Sequence, residues 1–209
     1  MRYLLSLLAI LALPLRAQDE AGVFDYYVLS LSWSPNWCRL EGDDRNSPQC
    51  DPSEDHGWVL HGLWPQFENG WPQDCYSAFQ PPSRGQTNDM ADIMGTSGLA
   101  WYQWNKHGTC SGLSPSNYFA LARDAYQSII RPQVFRDLDR EVTLPARLIE
   151  DAFLRDNPTL AADQITVTCR QGYIQEARIC LTQDLSPRQC GADVIRDCDL
   201  ESAGFDPIR

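Results

Sequence analysis

The chain has 209 residues, an aromatic content of 11% that includes seven Trp, and a formal net charge of −11. That length suits one domain with a sizeable core, and so many aromatics exclude a disordered chain. The acidic balance argues against a duplex-DNA binder, which carries a basic face, but not against an enzyme that grips one or two phosphates locally.

Residues 1–17, MRYLLSLLAILALPLRA, join an Arg-bearing start, a short apolar run and the small Ala17. This is the pattern of a secretory signal peptide, too short for a permanent span, and it sets expected boundaries of 1–17 for a leader and 18–209 for one folded domain. No later stretch is long and apolar enough to cross a bilayer. The eight cysteines of an exported chain predict four disulfides and a secreted or periplasmic location. A metal site is disfavoured because no C-x-x-C pair occurs, so neither a metal nor a cofactor is expected.

In chain order, residues 23–35 alternate Tyr27, Leu29 and Leu31 with Val28, Ser30 and Ser32, which predicts a strand ended by Pro35. Residues 39–56 read as a polar loop that Cys38 and Cys50 bracket and could staple. WVLHGLW at 58–64 starts as a strand that Gly62 and Pro65 are expected to stop. A further loop is expected over 66–87, then a helix over 88–106 weakened by Gly95 and Gly98. Ser116 is the expected cap of a clearer helix through Phe119, Ala122, Tyr126, Ile129 and Ile130, ended by Pro132. Another helix is expected from Pro145 as first residue to Leu154. QITVTC at 164–169 and GYIQEARICL at 172–181 predict two strands joined at Gln171-Gly172. The pattern is α+β in a single domain.

Two of the three histidines sit beside glycines in aromatic surroundings. His61 closes the second predicted strand, and His107 closes the helix before Gly108, with Lys106 adjoining. Side chains at the ends of rigid elements are placed to meet a substrate, and two imidazoles can share base and acid roles in one reaction. A structural role for both remains open at this level. His56 reads as a loop residue outside this pair. Trp58, Trp101 and Trp104 read as core packing, and the acidic runs 41–44 and 197–201 as solvated faces.

HGLWP at 61–65 and KHGTC at 106–110 resemble the two active-site segments of the ribonuclease T2 family. FDYYVLSLSWSPNWC at 24–38, VTC at 167–169 and ARICL at 177–181 resemble that family's strands in the same order. The resemblance implies a central, mostly antiparallel sheet flanked by helices. It also implies metal-independent cleavage of single-stranded RNA by attack of the ribose 2′-hydroxyl on phosphorus, giving a 2′,3′-cyclic phosphate and then a 3′-phosphate. By the same match His107 is the base, His61 the acid and Lys106 the stabiliser of the phosphorane. DNA, lacking the 2′-hydroxyl, should be inert. Trp64 and Gln66 fall at the family's base pocket. The family's cysteine pattern implies Cys75–Cys110, Cys169–Cys198 and Cys180–Cys190, with Cys38–Cys50 as the remainder.

Two departures stand out. The family's HEWxKHGTC pattern is here YQWNKHGTC, so Tyr102 and Gln103 replace His and Glu. A Tyr hydroxyl can still donate to phosphate, but an amide cannot raise a histidine's pKa as a carboxylate does. A lower turnover and a lower acid limb follow as expectations. The alternative is a weak or inactive RNA- or nucleotide-binding protein on the same fold. Nothing in the sequence argues against a monomer, and no membrane partner is expected once the leader is removed.

Overall fold

The computed structural model describes residues 19–209, so the expected leader lies outside the described residues. Six strands form one sheet among those residues: β1 (Tyr26–Trp33), β2 (Trp58–Gln66), β3 (Val142–Leu144), β4 (Ile165–Arg170), β5 (Tyr173–Leu181) and β6 (Ala203–Phe205). β1 runs antiparallel to β2 on one side and to β5 on the other. β4 pairs antiparallel with β5, β3 with β6, and β6 meets β5 in parallel at Tyr173 opposite Gly204. The sheet is therefore mostly antiparallel, as expected. β3 and β6 were missed in the sequence because three residues carry too little alternation to read.

The alternation in β1 divides the two faces of the sheet. Tyr27, Leu29, Leu31 and Trp33 point into the main core, where Trp58, Leu60, Leu63, Tyr118, Phe119, Ile149 and Phe153 join them. On the other face, Tyr26 and Val28 pack with Cys180, Cys190 and Val194 in a small second cluster. Ser30 and Ser32 continue that face, opposite Arg178 and Glu176 of β5. Small side chains there leave room above the sheet.

β2 is not stopped by Gly62 or Pro65; it runs on to Gln66. It is an edge strand, so the N–H that Pro65 lacks need not be missed by a second neighbour. The register shifts between Ser30, opposite Gly62, and Leu31, opposite Leu60. His61 is thus the extra residue of a β-bulge, and bulges re-aim the side chains they carry.

The helices also depart from expectation. After the short α1 (Ser34–Trp37), the stretch expected as a loop over 66–87 ends in a helix, α2 (Arg84–Asn88), and the one helix expected over 88–106 is broken into α3 (Ala91–Met94) and α4 (Ser97–Lys106). Gly95 takes φ 80°, which a helix cannot continue, and the Thr96 hydroxyl restarts the chain by accepting from Leu99 N–H at 3.1 Å. α5 (Pro115–Ser128) is capped by Ser114 and not Ser116, because Pro115 takes the first helical position. α6 (Arg147–Asp156) begins two residues after Pro145, and the Asn157 amide donates back to Phe153 O. Gln171 and Gly172 both have positive φ, the geometry of a tight two-residue hairpin.

Trp58 and Trp104 are buried, but Trp101 is 45% exposed. α4 turns Ala100, Gln103 and Trp104 inward, which leaves position 101 outside. The 41–44 run is paired and not simply solvated: Glu41 bonds Arg45 and Arg170, and Asp43 bonds Arg209. No helix among the described residues is long and apolar enough to cross a membrane.

The disulfides are Cys38–Cys50, Cys75–Cys110, Cys169–Cys198 and Cys180–Cys190, with no free cysteine among the described residues. Cys75–Cys110 fastens the loop after β2 to the turn after α4, and Asp74 N–H donates to Lys106 O beside it at 2.9 Å. Replacing both cysteines by Ser frees a 35-residue separation. Loop-closure entropy puts the expected loss at about 3–4 kcal/mol in urea unfolding; an unchanged midpoint would count against a structural role for this link.

Candidate active site

His61, in the bulge of β2, reaches across β1 to β5. Its Nδ1 lies 2.5 Å from Glu176 Oε1, and the serines of β1 leave the path open. Glu176 is 1% exposed. Arg178 donates twice to its other oxygen, Nε at 2.8 Å and Nη2 at 2.7 Å. Burial alone would raise the Glu176 pKa, but the charge and hydrogen bond of His61, then those of Arg178, outweigh it and hold the carboxyl at about 2. Glu176 is therefore an anion at neutral pH. The Nδ1 of His61 must carry a hydrogen to meet it, leaving Nε2 as the nitrogen free for the cleft.

His107 ends α4 and has the opposite environment. It is 7% exposed, and its Nδ1 is buried without a partner. Burial, then the Lys106 ammonium, then His61 push its pKa down to about 3. His107 is neutral where His61 faces an anion. Gly108 permits this tight end, because a Cβ there would lie 2.6 Å from Trp104 and 2.9 Å from Tyr118.

Trp64 joins the two histidines. Its ring centroid is 5.2 Å from that of His61 and 5.3 Å from that of His107, and the Arg178 guanidinium stands 5.4 Å over its ring. Its indole N–H donates to Gln103 Oε1 at 2.7 Å. Gln103 is 1% exposed and bonds Trp64, not the His107 ring. Gly62 lies beneath this bond: a Cβ there would meet Trp64 Nε1 at 2.3 Å and Gln103 Oε1 at 2.4 Å. The two motifs are thus locked together through Gly62, Trp64 and Gln103.

Two cavities share His61 and Tyr102 in their walls. The smaller, about 390 Å³, also holds Trp64, Gln66, Gln103, Lys106 and His107. The larger, about 770 Å³, extends past Ser32 and Glu176 toward Arg45 and Arg170. Tyr102 is 52% exposed, and Lys106 Nζ lies 5.7 Å from its ring centroid. His56 lies in a loop, 3.8 Å from Glu54, and lines neither cavity. Among the described residues, no group of three or more His, Cys, Asp or Glu is placed to hold a metal ion.

All of the predicted site residues line the smaller cavity. Sequence reasoning missed Trp71, Glu176, Arg178, Asp193 and Arg196, which line one cavity or the other. Glu176 and Arg178 left a signal: two charges at alternate positions of a mostly apolar strand must share a face and find partners. Asp193 left none, since its place depends on the bond that Gly70 N–H donates to its carboxylate at 2.6 Å.

A model of the ribonuclease T2 family matches residues 24–190. A ribonuclease of Aeromonas hydrophila is 41% identical over 132 residues, which cover 61% of this chain and 59% of that protein. The chain therefore spans less than two thirds of that relative's length. Among solved structures, an RNase-related protein from Calystegia sepium superposes with a TM-score of 0.69 at 20% identity, over 89% of this chain and 98% of its own. A single-substitution variant of RNase MC1, solved in complex with 5′-UMP, superposes with a TM-score of 0.63 at 22% identity, over 88% of this chain and 98% of its own. At these identities the structures establish the shared fold.

The lock between the motifs gives a direct test. Gly62→Ala should cost about 1–3 kcal/mol by overpacking and part the Trp64–Gln103 bond, read as a lower melting temperature with a changed Trp fluorescence. Wild-type stability and fluorescence would show that the bond does not need the glycine.

Proposed function

The chain belongs to the ribonuclease T2 family, and on that premise we propose that its cleft cleaves single-stranded RNA by transesterification. The observation that carries this reading is the opposed state of two histidines flanking one indole: His107 neutral, His61 bonded through Nδ1 to an ionised Glu176. A neutral imidazole and one held against a carboxylate can divide the base and acid roles of one reaction.

His107 accepts the 2′-hydroxyl proton as that oxygen bonds to phosphorus. His61 gives its Nε2 proton to the 5′-oxygen as the P–O5′ bond breaks. The Lys106 ammonium offsets charge on the non-bridging oxygens, and the Tyr102 hydroxyl is a second donor to them. Water then re-enters with the two histidines exchanging roles, and the cyclic phosphate opens to a 3′-phosphate. The cavities on either side of His61 receive the nucleosides flanking the scissile phosphate. Trp64 and Gln66 wall the base pocket, and the 49% exposed Trp71 offers a stacking face, worth about 1–3 kcal/mol per base. Matched DNA lacks the nucleophile and is not a substrate. Four disulfides support an exported protein, secreted or periplasmic, with the mature domain beginning at residue 18. It acts as a monomer without a cofactor.

The test is oxidised protein lacking residues 1–17, given single-stranded RNA or matched DNA with excess chelator, beside His107→Ala. Cleavage of RNA alone, leaving 2′,3′-cyclic ends and lost in the variant, is expected. Folded protein that cleaves nothing would move the reading to nucleotide binding.

The pH profile carries a second prediction. A base is active once deprotonated, so a His107 pKa of about 3 lets kcat/KM persist down to about that pH. Gln103→Glu sets a carboxylate near His107, which raises the ring's pKa and its strength as a base. The acid limb should move up and the rate at neutral pH rise by about 3–10-fold. An unmoved limb with an unchanged rate would contradict this account of Gln103.

A further inference from the structure

Neither histidine motif includes β5, yet β5 supplies the carboxylate nearest the reacting groups. The position where the T2 motif carries Glu holds Gln103, whose side-chain oxygen is occupied by Trp64. The anion instead stands on the other side of the cleft, against the other histidine.

The geometry of Glu176 is specific. Arg178 places both of its donors on Oε2, so Oε1 is left to His61 alone. Arg178 by itself would balance the charge of Glu176 without satisfying Oε1. Glu176 also opposes Ser32 on β1 and Thr168 on β4, which are short neighbours, so nothing else on its face reaches the carboxylate. A buried ion that loses one partner is costly, which fixes the His61 ring as firmly as it fixes the acid.

We propose that Glu176 is the positioning residue for His61: it keeps a hydrogen on Nδ1, turns Nε2 to the cleft, and holds an anion against the ring that gives the proton. This rests on the transesterification reading of the cleft. In that step the Nε2 proton passes to the 5′-oxygen as P–O5′ breaks, while Glu176 stays ionised and His107 carries the proton taken from the 2′-hydroxyl. The charged and titratable groups facing His61 are Glu176 and Arg178 on β5, Tyr102, Lys106 and His107 at the end of α4, Asp193 and Arg196 across the smaller cavity, and Glu41, Arg45 and Arg170 across the larger. Glu176 is the one carboxylate among them bonded to the ring.

Glu176→Gln keeps the size and an acceptor for Nδ1–H but removes the charge. Two substrates separate the roles: a dinucleoside monophosphate, whose leaving alkoxide needs a proton, and uridine 3′-(4-nitrophenyl phosphate), whose leaving group does not. The variant should lose about 10²-fold in kcat on the first and less than about threefold on the second, as His61→Ala should. Glu176→Asp, which restores the charge, should bring back the wild-type ratio between the two substrates even if the shorter arm leaves both rates low, and it guards against a Gln variant that folds poorly. Equal losses on both substrates, or no loss, would overturn the proposal. A wild-type protein that cleaves neither substrate would instead bring down the reading on which it rests.

Discussion

A carboxylate taken out of water has to be paired, and Glu176 is 1% exposed in the middle of a sheet. Much of the site follows from how that requirement is met. One oxygen is held by Arg178 from the same strand. The other must be met from across β1, so β1 carries serines at positions 30 and 32, and β2 carries a bulge that swings His61 out of the ladder. Arg178 extends the chain of contacts over the Trp64 ring, and Trp64 passes it through Gln103 to α4, one turn from His107. A rigid sheet and a helix end are thereby tied across a distance that neither motif spans alone.

The same arrangement sets the two histidines apart. His61 has an anion at one nitrogen, and His107 is buried beside the Lys106 ammonium with an unpartnered Nδ1. Lys106 serves both ends of this logic, since the ammonium that depresses His107 also faces the cavity that the two histidines share. An acidic chain can therefore present a locally cationic cleft without a basic surface.

The features legible in the sequence were those carried by local pattern. The β1 alternation, the Gln171-Gly172 hairpin and the two histidine motifs each depend on neighbours within a few residues. What escaped depends on partners far along the chain. The bulge at His61 exists only as a mismatch with β1, and Pro65 reads as a stop until β2 proves to be an edge. Gly95 splits a helix through one backbone angle, and Pro115 hands the cap from Ser116 to Ser114. Trp101 faces out because its helix turns three other residues in. Glu176 lies 115 residues from His61, so no window of sequence joins them.

The central claim is that burial keeps His107 neutral while Glu176 fixes a hydrogen on Nδ1 of His61, and nitrogen NMR of the imidazoles tests it without substrate. The chain has only three histidines, so assignment by single substitution is direct. The account predicts that the His107 ring stays neutral from pH 8 down to about 4, while His61 keeps its Nδ1 proton bonded to Glu176. A His107 ring that protonates near the ordinary histidine value of about 6.5 would contradict it.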